Sequence, residues 1–205
     1  MKVTLIGAGK MGRAIGTRLV AGGHDVAIVD RDPAEAEGLA SEIGASAAQP
    51  EGIGGDVVVL AVYYPGTLEA ADEYRDRLSG SVVVDICNPV DAQTWDRLAT
   101  PPDTSAAEEL AARLPESRVV KAFNTTFGNT LLAGEVAGQQ LDVLIAGDDG
   151  DAKRAVASLA ESGGLRPIDV GPLERARQLE QLGFLHVAIQ ESLGSGFGSA
   201  VKFHW

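Results

Sequence analysis

The stretch GAGKMGRAIG, residues 7–16, sets the fold at the start of the chain. It follows an apolar run at residues 3–6 that predicts a buried strand. It also opens a segment at residues 10–21 whose apolar side chains share one face of a helix. A strand that enters a glycine turn and leaves as a helix is typical of phosphate-binding backbone, because the first N–H groups of the helix are free and point toward an anion.

The three glycines of this stretch have separate roles in the pattern G-x-G-x-x-G. Gly7 permits a tight turn, Gly9 lets a pyrophosphate approach the backbone, and Gly12 allows the helix to pack closely on the strand. The other common phosphate motif, G-x-x-x-x-G-K-[ST], does not fit, since Lys10 is followed by Met11. The turn therefore predicts a dinucleotide site. Its predicted contacts are Gly7, Ala8, Gly9, Lys10, Met11 and Gly12.

An acidic residue follows the second predicted strand, at residues 26–29. Asp30 lies about twenty residues beyond the turn, where a carboxylate accepts hydrogen bonds from the adenosine ribose and repels a 2′-phosphate. Arg31 has the opposite preference, since a guanidinium pairs with that phosphate or stacks on adenine. These two residues alone favour NAD over NADP, and a chain of 205 residues with one nucleotide-binding region leaves little room for FAD.

Apolar strands alternate with helical segments along the rest of the chain. This alternation predicts an α/β fold with a doubly wound, mainly parallel (Rossmann) sheet and a small C-terminal extension that contains a helix. Further strands are predicted at residues 56–62, 81–86, 119–123, 141–146 and 166–170. Helices are predicted at residues 33–43 (capped by Asp32), 68–78, 105–114 (opened by Thr104 or Ser105), 152–161 (capped by Asp149 or Asp151) and 171–193. We expect a dinucleotide-binding domain at residues 1–140 and a C-terminal part at residues 141–205 that completes the sheet, in one compact unit.

Several residues follow directly on predicted strands, so the crevice at the carboxyl edge of the sheet is expected to collect them. Ala61, Val62 and Tyr63 come after the strand at residues 56–62 and are expected beside the nicotinamide ribose. The other candidate coenzyme contacts at this edge are Asn88, Asn124 and Thr125.

Composition and charge exclude several classes of function. The net charge is −12 and the 17 basic residues are scattered, which argues against binding nucleic acid. A single cysteine, Cys87, forms no internal disulfide and is expected to be a packed thiol in a reducing compartment. No metal-ligand spacing, hydrolase motif, leader or membrane-spanning run is present, so a cytoplasmic protein is expected.

Two features of the last helix complete the sequence picture. An apolar stripe runs from Leu173 to Leu193 at intervals of three and four residues, which predicts either core packing or a homodimer contact. His186 lies on this stripe and is expected to be a packing histidine, whereas His24 is expected at the surface.

Four blocks of sequence resemble one enzyme family. These blocks are VVKAFNT (119–125), AGDDGDAK (146–153), GLRPIDVGPLERARQLE (164–180) and GFGSAVKF (196–203). With the glycine turn they make the chain similar, almost end to end, to the NADP reductases that depend on the deazaflavin coenzyme F420. The KAFN block also occurs in the related cytosolic domain of membrane ferric reductases.

The resemblance implies an oxidoreductase that exchanges hydride directly between a nicotinamide dinucleotide and F420. Such a reaction needs orientation and exclusion of water, and no catalytic acid, base, nucleophile or metal. Phe127 and Phe197 are candidate walls for a flat acceptor ring, with Tyr64 beside Tyr63 as another. Two alternatives stay open: reduction of a flavin, imine or carbonyl acceptor, and a redox-sensing module that binds the dinucleotide without turnover.

Overall fold

One eight-stranded sheet runs through the molecule in the computed structural model, which describes all residues, 1–205. Its strands are β1 (Lys2–Ile6), β2 (Asp25–Val29), β3 (Ser46–Ala47), β4 (Val57–Leu60), β5 (Val82–Asp85), β6 (Arg118–Lys121), β9 (Asp142–Gly147) and β10 (Arg166–Gly171); a separate two-stranded hairpin is formed by β7 (Glu135–Val136) and β8 (Gln139–Gln140).

The order of the strands in the sheet is β10-β9-β6-β5-β4-β1-β2-β3. Every neighbouring pair is parallel except β6 and β9, which are antiparallel with Val120 opposite Gly147. The mainly parallel, doubly wound fold predicted from the sequence is therefore confirmed. The last two strands form a parallel pair of their own that runs against the other six, so their first residues lie at the carboxyl edge of β6.

Helices cover both faces of the sheet. They are α1 (Lys10–Ala21), α2 (Pro33–Ile43), α3 (Tyr64–Leu78), α4 (Ala106–Arg113), α5 (Gly128–Ala133), α6 (Gly150–Ser162), α7 (Ala176–Ala188) and α8 (Gln190–Leu193), with short 3-10 turns at Pro50–Gly52 and Leu173–Arg175. None of these helices is long and apolar enough to cross a membrane.

The continuous apolar strands follow from this two-faced burial, because successive side chains of a strand point to opposite faces. Val57 and Val59 of β4 belong to the 27-residue core cluster beneath α1, α2 and α6. Val58 and Leu60 belong to the 15-residue cluster beneath α3 and α4. The predicted N-caps are confirmed, since Asp32, Ser105 and Asp149 each accept a backbone N–H of the helix that they open.

Two of the predicted helices have wrong boundaries. Helix α3 begins at Tyr64 rather than Leu68, because Pro65 occupies the first turn of a helix, where its missing N–H costs nothing. The predicted helix from residue 171 to Leu193 begins only at Ala176, because Gly171 ends β10 and a 3-10 turn follows it, and it is broken at Ile189 into α7 and α8. The predicted apolar stripe is also divided: Leu173, Ala176, Leu179 and His186 are buried, whereas Ile189 and Leu193 are exposed. Leu185, next to the stripe, is exposed as well.

Candidate functional site

The glycine turn lies where the chain reverses its direction of winding, since β1 is flanked by β4 on one side and β2 on the other. Gly7 has a φ of +112°, and a Cβ there would lie 2.5 Å from the Ala61 carbonyl oxygen. At Gly12 a Cβ would lie 1.9 Å from the Gly7 oxygen. Open sheets of this kind bind ligands in the crevice outside such a reversal point.

Gly9 differs from the other two glycines, because a Cβ built on it would meet no atom within 4 Å. Gly9 is also the N-cap of α1, and no side chain caps that helix. The first N–H groups of α1 therefore face an open cradle that a side chain at Gly9 would fill. These residues fit the pyrophosphate of a dinucleotide, which needs close approach to bare backbone N–H groups.

Asp30 is held against this turn. Its Oδ2 accepts the N–H of Ala8 at 2.7 Å, and its Oδ1 accepts the N–H of Asp32 at 3.0 Å. The carboxylate thus fixes the backbone between two of the glycines, a role that the sequence pattern did not indicate. Arg31 next to it has a side chain that is 93% exposed, with only a distant contact to Glu69.

The structure places the remaining residues predicted near the coenzyme in different surroundings. Lys10, the first residue of α1, is exposed, and Met11 is half-buried against the core. Ala61 and Val62 line the turn, since both lie within reach of a Cβ at Gly7. Tyr63 is 88% exposed.

Tyr64 points elsewhere than its neighbour. Its hydroxyl donates a hydrogen bond to Glu109 of α4, and burial, reinforced by that carboxylate, raises the pKa of Tyr64 above its ordinary value. Tyr64 therefore ties α3 to α4.

Asn88 and Asn124 form an amide pair at the carboxyl ends of β5 and β6. Asn124 Nδ2 donates to Asn88 Oδ1 at 2.9 Å and to the Leu179 carbonyl at 2.8 Å, and Asn88 Nδ2 donates to the Asn124 carbonyl at 2.8 Å. Asn124 Oδ1 is a buried acceptor without a partner. An unpaired buried acceptor of this kind is uncommon in protein interiors.

A charged cluster that the sequence analysis missed is joined to the amide pair by short stretches of backbone. Lys121 and Asp85 are fully buried at the ends of β6 and β5, and Glu180 reaches them from α7. Lys121 Nζ lies 2.7 Å from Asp85 Oδ2 and 2.8 Å from Glu180 Oε1. The signal was present, because a lysine and an aspartate in the apolar runs of two neighbouring strands need each other as partners.

An aromatic cluster stands beside Thr125. The rings of Phe127 and Phe197 meet edge to face with centroids 5.1 Å apart, and Phe127 also stacks at 4.3 Å on His186. His186 donates from Nδ1 to the Thr125 carbonyl and accepts from Ser199 at Nε2. It is a satisfied packing histidine, as predicted, and burial lowers its pKa.

The C-terminal residues fold back along the same edge of the sheet. Asp142, the first residue of β9, accepts two bonds from Arg166, one from Lys202 and one from the backbone N–H of Phe203. Burial would raise the pKa of this carboxyl, but its hydrogen bonds to Arg166 and Lys202 lower it to about 2. The Trp205 ring lies over the Arg166 guanidinium at 4.3 Å.

Two other residues singled out from the sequence take no part in this site. Cys87 is buried, and its pKa is raised well above normal by burial, so it is an unreactive packed thiol. His24 lies near the surface, bonded to Ser162 and to the chain's first residue.

Residues 2–89 match the model of the family described as NADP oxidoreductase, coenzyme F420-dependent. The F420-dependent NADP reductase of Methanocaldococcus jannaschii is 36% identical over 149 residues, which cover 69% of this chain and 66% of that protein. The resemblance inferred from the glycine turn and the C-terminal blocks is thereby confirmed. The chain belongs to the F420-dependent NADP oxidoreductase family.

A mammalian protein is also similar to this member of the F420-dependent family. Rat metalloreductase STEAP3 is 32% identical over 181 residues, 88% of this chain and 36% of the metalloreductase. The chain therefore spans about a third of the mammalian metalloreductases that it matches.

Solved structures resemble the fold along its full length. A crystal structure from Arthrobacter sp. FB24, of a protein assigned to the F420-dependent NADP reductases, superposes with a TM-score of 0.89 at 28% identity over 100% of both chains. A Streptomyces aurantiacus imine reductase shares the fold alone, with a TM-score of 0.69 at 18% identity over 96% of this chain and 64% of that one.

Proposed function

We propose that this protein is an oxidoreductase that transfers hydride between NADP and coenzyme F420. The observation that carries the proposal is the open, uncapped cradle at Gly9, at the reversal point of a sheet in a chain of this family. A bound nicotinamide ring supplies a transferable hydride, and the protein supplies a seat for the coenzyme and a wall for the acceptor.

The coenzyme preference follows from the positions of Asp30 and Arg31. Asp30 accepts one backbone N–H from the glycine turn and one from Asp32, so both of its oxygens already bind this chain's own backbone. Arg31 is free to reach the 2′-phosphate of NADP. We therefore assign the 2′-phosphate to Arg31 and the stiffness of the turn to Asp30, which favours NADP.

The acceptor side is assigned to the C-terminal part. Residues 1–140 hold the dinucleotide, and residues 141–205 bring Phe197 against Phe127 beside the crevice. Phe197 is 47% exposed, which leaves an apolar surface suited to a planar ring. The tail that carries Phe197 is fastened at Asp142, so this wall is held in place.

Direct hydride transfer needs no acid or base. The contribution of the chain is to orient two rings and to exclude water between them. His186 keeps its imidazole neutral and bonded, and Tyr64 keeps its hydroxyl on Glu109.

The exposed side chains of Leu185, Ile189 and Leu193 support a homodimer in which this face is covered by its twin. Sedimentation of wild type and of a Leu185→Glu/Leu193→Glu variant tests it: a dimer that becomes a monomer supports the pairing, and a wild-type monomer contradicts it. The unpaired buried cysteine fits a reducing cytoplasmic setting.

The decisive assay mixes the protein with NADPH and oxidised F420 and follows the absorbance of both. Parallel reactions contain NADH, FMN, and a cyclic imine in place of F420. Rapid reduction of F420 by NADPH supports the proposal. Turnover of FMN or the imine without F420 would assign another acceptor, and tight coenzyme binding without turnover of any acceptor would favour a redox sensor.

A further inference from the structure

The buried charges of Lys121, Asp85 and Glu180 are joined to the amide pair of Asn88 and Asn124 by short stretches of backbone. We infer that this charged cluster is a positioning device, which holds the amide pair in place for the nicotinamide end of the coenzyme. The inference rests on the proposed function.

The ammonium group of Lys121 is fully satisfied. Its three N–H bonds go to Asp85, to Glu180 and to the carbonyl oxygen of Cys87. A lysine ammonium has three donors and no acceptor, so none is left over. Burial alone would lower the pKa of Lys121, but the charges of Asp85 and Glu180 raise it, so the lysine stays charged.

The carboxylates are satisfied as well. Asp85 accepts the N–H of Cys87 at 2.9 Å through its second oxygen. Glu180 accepts the N–H groups of Ala106 and Ala107 at 3.1 and 3.4 Å, at the first turn of α4. The cluster therefore joins β5, β6, α4 and α7 at one point.

Each attachment of the charged cluster is close in sequence to an attachment of the amide pair. Cys87, whose carbonyl binds Lys121, precedes Asn88. Glu180 follows Leu179, whose carbonyl binds Asn124. Lys121 precedes Asn124 by three residues on the same segment. The two layers thus share three short backbone segments, and a shift of one layer moves the other.

Close packing of α7 on the amide pair makes its position sensitive to such a shift. A Cβ built on Gly183 of α7 would lie 2.6 Å from Asn88 Oδ1. Buried ion pairs add little net stability compared with apolar packing, but they fix one arrangement when every bond is made. This is the property that a positioning device needs.

The test compares two variants of α7. Glu180→Gln keeps an acceptor for Lys121 but turns its NH2 group toward the N–H donors of α4, so the cluster loosens. Arg177→Gln is the matched control, because Arg177 joins the same two helices through Glu108 without touching the cluster. Glu180→Asp, which keeps the charge on a shorter side chain, replaces Glu180→Gln if that variant does not fold.

Binding of two probes separates positioning from a general loss of structure. We expect Glu180→Gln to bind NADP+ about tenfold more weakly than wild type, and kcat to fall by about ten- to a hundredfold, since small misplacements of reacting groups are costly. Binding of 2′-phospho-ADP-ribose, which lacks the nicotinamide, is expected to stay unchanged. Arg177→Gln is expected to lower the melting temperature only.

The inference would be overturned if the variant lost affinity equally for NADP+ and for 2′-phospho-ADP-ribose, or if it bound both as tightly as wild type does. If Glu180→Asp is the variant measured, the same pattern with a smaller loss supports the inference, and the same two results overturn it. Failure of the proposed function is distinguishable, because it would appear in the wild-type protein itself, either as binding of neither probe or as binding of NADP+ without reduction of F420.

Discussion

Adding one methyl group at each of two glycines separates coenzyme binding from folding. In Gly9→Ala the new Cβ enters open space, and the extended backbone at φ −71° suits alanine. Alanine is a poorer N-cap than glycine, but it also lowers the entropy of the unfolded chain, so we expect stability within about 1 kcal/mol of wild type. In the folded protein that methyl group occupies the cradle.

The binding loss can be estimated from the bonds that the methyl group prevents. A hydrogen bond to a charged group contributes about 1.5–3 kcal/mol, so loss of one phosphate contact weakens binding by about ten- to a hundredfold. Titration calorimetry with NADP+ measures this loss.

Gly12→Ala is expected to destabilise the fold, whereas Gly9→Ala is expected to weaken coenzyme binding. Its Cβ would lie 1.9 Å from the Gly7 oxygen and 3.0 Å from a Leu5 methyl group. A backbone oxygen cannot swing aside, so α1 must move by about 1 Å, at a cost of about 1–3 kcal/mol. Urea unfolding measures this loss of stability.

Gly38→Ala is the matched control for both variants. Gly38 is an exposed helical position of α2 where a Cβ meets nothing, so this change should stabilise the protein by about 0.5–1 kcal/mol and leave binding unchanged. Gly9→Ala that binds NADP+ as wild type does, or that unfolds as easily as Gly12→Ala, would refute the assignment of the cradle.

Three further predictions concern the tail, the coenzyme preference and the thiol. Asp142→Asn should lower the free energy of unfolding by about 2 kcal/mol at pH 7, as measured by urea titration. The pKa of Asp142 is about 2 in the native protein, which is lower than in the unfolded chain, so its charge stabilises the fold at neutral pH. The difference in stability between variant and wild type should therefore be complete above about pH 4 and vanish as the pH falls through about 2. A difference independent of pH would contradict this. Arg31→Ala should weaken NADP+ but not NAD+ in calorimetry, whereas Asp30→Ala should weaken both; a gain of NADP+ affinity in Asp30→Ala would show that Asp30 acts by repulsion instead. Cys87 should react with a thiol reagent only after denaturation, and rapid labelling of the native protein would show that its burial is not maintained in solution.

Much of the fold was readable from the sequence because local signals and global burial agree. The glycine turn, the apolar strands and the caps at Asp32 and Ser105 each act over a few residues. The early start of α3 was missed; Pro65 lies in its first turn, where a proline is tolerated.

The site was less predictable than the fold, since its key contacts join residues far apart in sequence. The pattern identified Asp30, but only the three-dimensional arrangement shows that its carboxylate binds the Ala8 backbone. Lys121 was seen as part of a family block, and its partners Asp85 and Glu180 lie 36 and 59 residues away. Their meeting depends on the order of strands and on the path of α7.

Direct passage of hydride across the crevice is tested best by isotope transfer. NADPH carrying deuterium at either face of C4 is mixed with F420 and the protein in ordinary water, and the reduced deazaflavin is weighed by mass spectrometry. The account predicts that the label from one face appears in the product without loss to solvent. Product that contains only solvent hydrogen from both labelled forms would contradict it.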